Sequence, residues 1–201
     1  MGYRIRVLGT SSEQPDLNSL CGSLRKAESS AVLKLETGTE SNWEQLVLSH
    51  PDGPEIALIE YNPVTDDKLG REELEEFIAE VESLKPISAA RWLQQYLPRV
   101  RVIYALQLLS GTEVRDGWSA VHTVQGAIWT TAGGILQADS EGFTNEDGYQ
   151  ILWQFRHGVS GKWNMAVLDR EKWVAFEMEL GDLAQREAFL KGEVPSSARL
   201  L

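Results

Sequence analysis

Cysteine is nearly missing from this chain: Cys21 is the only one among 201 residues, so no intrachain disulfide can form. A lone thiol suits a reducing compartment, and a cytoplasmic setting is the expectation. Histidine is also scarce, with His50, His122 and His157 scattered along the chain, and no zinc site of the usual Cys and His spacing can be written. The chain contains no G-x-S-x-G elbow, no G-x-G-x-x-G turn and no phosphate loop, which argues against the common hydrolase and nucleotide-binding architectures. No metal or cofactor is therefore expected. Apolar runs are short, none approaching the roughly 18 to 20 residues that a membrane span requires, so no membrane partner is expected either. The stretch from Met1 to Gly9 lacks the apolar run of about 7 to 15 residues found in a secretory signal.

Positive charge is the other shortage. The net charge is −11, and close basic pairs such as Arg25 with Lys26 and Arg99 with Arg101 are not interleaved with aromatics. Such a surface repels phosphate backbones, and nucleic acid is rejected as a partner. The acidic excess reads first as a solvated surface, and second as a surface suited to a basic partner.

The patterns that are present alternate between strand and helix. Tyr3, Ile5 and Val7 alternate with Arg4 and Arg6, predicting a first strand. A long Ser, Pro, Asn and Gly segment follows, with a short helix within Asn18 to Ala27, and a loop of this length is either functional or mobile. Strands are expected over Ser30 to Glu36, Trp43 to Leu48 and Glu55 to Tyr61, forming an antiparallel meander. The near-continuous apolar run of IALIEYNP marks an interior strand. Leu74, Phe77, Ile78, Val81 and Leu84 recur at helical spacing opposite a glutamate-rich face. After Pro86 a second helix carries Ala89, Trp92, Leu93, Tyr96 and Leu97, with Ser88 available to cap it.

Val100 to Leu109 predicts another interior strand, and Trp118, Val121, Val124, Ile128 and Trp129 predict a helix stopped by Gly133 and Gly134. Tyr149, Ile151, Trp153 and Phe155 alternate as a strand would. Trp163 to Leu168 and Trp173 to Leu180 follow around the charged turn Asp169 to Lys172, and Asp182 with Gln185 opens a last helix. The tail beyond Gly192 is expected to fray. The fold class is α+β, mainly antiparallel sheet with three to four helices. It is expected as one unit of two lobes, 1–98 and 99–201; the two resemble each other as small α/β units, without a residue-level repeat that would support duplication.

Four places could carry chemistry. The acidic loop Asp139, Glu141, Asn145, Glu146 and Asp147 could share a hard cation, but Phe143 stands where an EF-hand would place a ligand, so a turn built by Asn, Asp and Gly is the better reading. Glu177 and Glu179 project from one strand face roughly 6 to 7 Å apart, a spacing that allows acid and base work. Glu60, set among apolar residues, is expected to be buried and paired or functional. Finally, four of the seven tryptophans, Trp118, Trp129, Trp153 and Trp163, surround the segment Gly133 to Phe155. They build either core or a binding surface beside Gln137, Gln150 and Gln154.

The leading expectation is a non-catalytic binding or interaction protein, self-associating or contacting a protein partner through its Trp-rich surface. The alternatives are a carboxylate-dependent hydrolase or isomerase, or a small-molecule binding domain, with a cleft near Glu60, Asp139 and Glu141. Glu60, His122, Gln137, Asp139, Glu141, Trp153 and Trp163 are the candidate binding residues.

Overall fold

The computed structural model describes residues 2–66 and 68–201. Met1, the first residue of the alternating opening, lies outside them. The elements in chain order are β1 (Arg4–Gly9), α1 (Leu17–Lys26), β2 (Val32–Thr39), β3 (Asn42–Ser49), β4 (Glu55–Pro63), α2 (Leu69–Val81) and α3 (Ile87–Tyr96). There follow β5 (Val102–Leu108), α4 (Gly117–Ala132), β6 (Ile135–Ala138), β7 (Gly142–Phe143), β8 (Lys162–Asp169), β9 (Lys172–Glu179), α5 (Leu183–Lys191) and β10 (Arg199–Leu200). Among the described residues the pairs β1–β5, β2–β3, β3–β4, β4–β5, β6–β7, β8–β9 and β9–β10 run antiparallel, giving an α+β fold with five α-helices rather than three to four. The chain divides into two compact units, one of Met1–Glu72 with Val100–Gly134, the other of Glu73–Arg99 with Ile135–Leu201.

In the first unit the strands lie in the order β2-β3-β4-β5-β1. β4 and β5 are interior, which explains their unbroken apolar runs: Val102, Ile103, Tyr104, Ala105 and Leu106 are all buried. Helices α1 and α4 pack on one face, over Val7, Leu46, Leu48, Ile59 and Leu106, each fully buried. α4 ends where expected, at Gly133. Gly134 follows at φ 88°, and a Cβ there would sit 1.9 Å from the Leu8 carbonyl oxygen, so only glycine fits.

The opposite face of this sheet is more polar. Direct pairing sets Gln45 beside Glu60 and Glu60 beside Ala105, while Asn62 follows Glu60 on the same face. Between β2 and β3 the register skips Glu36 on one strand and Glu44 on the other. The extra residue turns the following side chain over, and Trp43 accordingly packs with Tyr61 and Tyr104, their ring centroids 5.3 to 6.1 Å apart. These aromatics also hold the long segment after β1. The Trp43 indole donates to the Pro15 carbonyl at 2.8 Å, the Tyr104 hydroxyl to the Glu13 carbonyl at 3.2 Å, and the Gln14 amide to the Trp43 carbonyl at 2.6 Å.

In the second unit β6 and β7 form a small hairpin, and β8, β9 and β10 form a three-stranded sheet. Arg170 and Glu171 adopt φ 45° and 68°, the left-handed pair that closes a two-residue hairpin and matches the turn read at Asp169 to Lys172. The core gathers Trp153, Met165, Val167, Phe176, Met178, Leu180 and Phe189. Asp182 caps α5 by accepting from the Ala184 and Gln185 amides, at 2.9 and 3.1 Å.

Three expectations fail in this unit. Tyr149 to Phe155 is not a strand: only Gln150 bridges, to Thr144 and Met165. Ile151, Leu152 and Trp153 are consecutively buried, so there is no exposed face to alternate with. Their neighbours' backbone groups are satisfied one at a time, Ile151 by Phe143, Trp153 by Lys85 and Gln154 by Glu141. Secondly, α3 starts before Ser88, with Pro86 at its N-cap and no side-chain cap bond, because proline's fixed φ already suits a helix entry. Thirdly, the tail is tied down, since Arg199 and Leu200 pair with Glu177 and Phe176.

Candidate ligand-binding cleft

The first unit carries a cleft of about 500 Å³. Its floor is the polar sheet face, with Gln45 from β3 and Glu60 and Asn62 from β4, and Tyr61 between the last two also lines it; all four are half-buried. Thr37, Asn42 and Glu44 form the rim on the side of the β2–β3 hairpin, and Lys68, Leu69 and Gly70 stand at the start of α2. That helix start approaches β4 closely, because a Cβ on Gly70 would lie 2.7 Å from the Asn62 carbonyl oxygen and 2.8 Å from that of Pro63.

The side chains of Gln45, Glu60 and Asn62 make no hydrogen bond or ion pair with any described residue. Part-exposed in the cleft, they are left to water and are available to a ligand. Glu60 therefore does not fulfil the expectation of a buried, paired carboxylate. It is held between Gln45 and Ala105 with its hydrogen-bonding capacity unused by them. Beneath it the Tyr104 phenol is kept neutral, burial pushing its pKa well above the ordinary tyrosine value, with the neighbouring Tyr61 and Glu13 adding to the shift.

The other sequence candidates lie elsewhere. His122 is exposed on α4, its ring stacked on Trp118 with centroids 5.7 Å apart. Gln137 is buried in β6 opposite Phe143, and Asp139 and Glu141 sit half-buried on the turn to β7. The remaining acidic-loop residues build structure. The Asn145 side-chain oxygen accepts from the Asp147 and Tyr149 amides, at 3.1 and 2.9 Å, and the Glu146 carboxylate accepts from the Tyr96 hydroxyl at 2.8 Å. Among the described residues no group of three or more His, Cys, Asp or Glu is placed to hold a metal ion, and no helix is long and apolar enough to cross a membrane.

Glu177 and Glu179 have partners already. Lys162 donates to Glu177 at 3.0 Å and Arg199 at 3.4 Å, and the Lys162 hydrogen bond, followed by the charge of Arg199, holds the Glu177 carboxyl below its usual range. Glu179 accepts from the backbone amides of Gly161 and Gly181. The aromatic residues are largely packing. Trp153 is 8% exposed beneath the Arg186 guanidinium, whereas Trp163 at 37% closes the ring series Trp153–Phe155–Trp163, with centroids 5.1 and 5.4 Å apart.

A second hollow, of about 610 Å³, lies in the second unit between Lys85, Ile87, Ser88, Glu187, Leu190 and Lys191. Four of these residues, Lys85, Ile87, Glu187 and Lys191, are exposed, so its walls lack the rigid, half-buried donors and acceptors of the sheet cleft. The sequence reading found Glu60 but missed Gln45 and Asn62. Asn62 was within reach, two residues beyond Glu60 on the same strand face, but Gln45 belongs to the site only through strand pairing. No family model, curated protein or solved structure matches this chain.

Proposed function

We propose that the protein is a binding module that holds a small polar molecule in the cleft over Gln45, Glu60, Tyr61 and Asn62. The observation carrying this reading is the set of half-buried polar side chains whose hydrogen bonds no described residue takes up. Such groups, part-exposed and left to water, are free to donate to and accept from a ligand that displaces that water. Binding is favoured over carboxylate-pair catalysis because the strand neighbours of Glu60 are Gln45 and Ala105, not a second acid. A cytoplasmic location belongs to the same proposal, supported by the lone, half-buried Cys21 on α1.

The test is a thermal-shift screen of chemically diverse small polar molecules against the wild type and the Gln45→Leu and Glu60→Gln variants. A compound that raises the wild-type Tm and loses its effect in both variants supports the cleft. If every stabilising compound acts equally on all three proteins, the site is elsewhere.

Self-association is a second reading, favoured by the exposure of Trp163 together with Leu183 at 71% and Leu200 at 64% in the second unit. Trp163 lies on the same sheet face as Met165 and Phe176, so an apolar stripe continues from core to surface. Sedimentation of wild type against Trp163→Ser decides it: a concentration-dependent dimer lost in the variant supports the reading, and a monomer throughout removes it.

A further inference from the structure

We propose that the ligand of this cleft carries a primary ammonium, seated among Gln45, Glu60 and Asn62, with the rest of the molecule neutral or anionic. This rests on the cleft being a ligand site and goes on to name what it recognises.

The argument begins with the number and kind of acceptors. An ammonium presents three N–H donors and no acceptor, so a site that takes it out of water must offer several oxygens from different directions. Gln45 and Glu60 are direct cross-strand partners, their Cβ atoms about 5 Å apart, and Asn62 is one strand repeat further on, at roughly 6 to 7 Å. They therefore bring one carboxylate and two amide groups to the same patch of the cleft floor. Each amide can turn its oxygen inward, because neither is committed to another residue.

Charge then selects among ligands that could use those oxygens. Glu60 is half-buried and has no cationic partner among the described residues. An anion placed beside it would add repulsion, and a neutral polyol would satisfy the amides while leaving the carboxylate uncompensated. A cation removes the imbalance through charge-assisted hydrogen bonds. The chain's net charge of −11 works in the same direction by raising the local concentration of cations.

Lys68 limits the charge that the rest of the ligand can carry. It lines the cleft at the start of α2, on the side where that helix meets Asn62 and Pro63. A second ammonium there would meet a like charge, whereas a neutral tail or a carboxylate would not. A monoamine or an amino acid fits this polarity and a diamine does not.

Four probes of one chain length separate these terms: butylamine, 4-aminobutyrate, butyrate and 1,4-butanediol. Each is titrated into the full-length protein at millimolar concentrations, the range expected for ligands this small, and followed by the side-chain amide resonances of Gln45 and Asn62. Butylamine and 4-aminobutyrate are expected to shift both resonances saturably. Glu60→Gln, which preserves shape and removes charge, is expected to weaken them about tenfold or more, its unchanged Tm showing that it folds. If butyrate or butanediol binds as tightly as butylamine, the ammonium inference is wrong while the cleft remains a ligand site. If none of the four moves these resonances, the ammonium inference is overturned, and the wider thermal-shift screen judges the cleft separately.

Discussion

Trp43 and Pro15, far apart in sequence, are joined by a 2.8 Å hydrogen bond from the indole N–H to the proline carbonyl, fully buried on the tryptophan side. The bond fastens the long connection after β1 to the β2–β3 hairpin, whose end forms the cleft rim. A segment that sequence reasoning leaves open between functional and mobile is thereby an ordered support of the site.

Replacing Trp43 with Phe keeps most of the ring packing but leaves the Pro15 carbonyl without its donor. The expected cost is about 1 to 3 kcal/mol, the penalty for an unsatisfied buried acceptor. Denaturant melts measure it, and hydrogen exchange should show faster exchange around Leu17, whose amide bonds to the Glu40 carbonyl at the same end of the unit. A variant as stable as wild type would show that the bond contributes nothing.

Tyr104 predicts an alkaline limb. Its folded-state pKa is raised above the ordinary value of 10.0, chiefly by burial. Below that ordinary value the phenol is protonated in both states and its contribution is fully present. As pH rises past it, the unfolded chain releases a proton that the folded chain retains, so stability falls. Melting curves between about pH 9 and 11 should decline in the wild type and decline less in Tyr104→Phe. That variant also loses the bond to Glu13, which lowers its stability at neutral pH.

Glu60→Gln is expected to change stability by less than about 0.5 kcal/mol, since the carboxylate makes no ion pair or hydrogen bond with a described residue. Calorimetry of the two proteins without ligand checks this. A large loss would mean that Glu60 serves folding rather than binding.

Glu177→Gln should loosen β10. Glu177 joins Lys162 and Arg199, and its lowered carboxyl pKa means that the contribution is present above the ordinary glutamate range and lost as pH falls. Amide exchange at Leu201, which bonds to the Ala175 carbonyl, should quicken in the variant at neutral pH. The same acceleration is expected in wild type under high salt, because such exposed pairs are screened.

Most elements were legible where one local rule was enough. The helix spacing of Leu74, Phe77 and Val81, the cap at Asp182, the stop at Gly133 and the hairpin at Arg170 and Glu171 each depend on residues a few positions apart. The strand expected at Tyr149 to Phe155 failed for the opposite reason. Trp153 takes its backbone partner from Lys85, and Ile151, Leu152 and Trp153 are all enclosed. Alternation along the chain could not reveal surroundings supplied by distant segments.

The sequence by itself determined the α+β class, the interior character of β4 and β5, and Glu60 as a carboxylate out of place among apolar neighbours, because burial period and composition are written locally. Tertiary structure alone decided that Glu177 and Glu179 are occupied, that Trp153 is core, and that Gln45 stands beside Glu60. Each of these depends on segments distant in sequence, and for Gln45 on register, since a shift of a single residue would have turned it to the other face of the sheet.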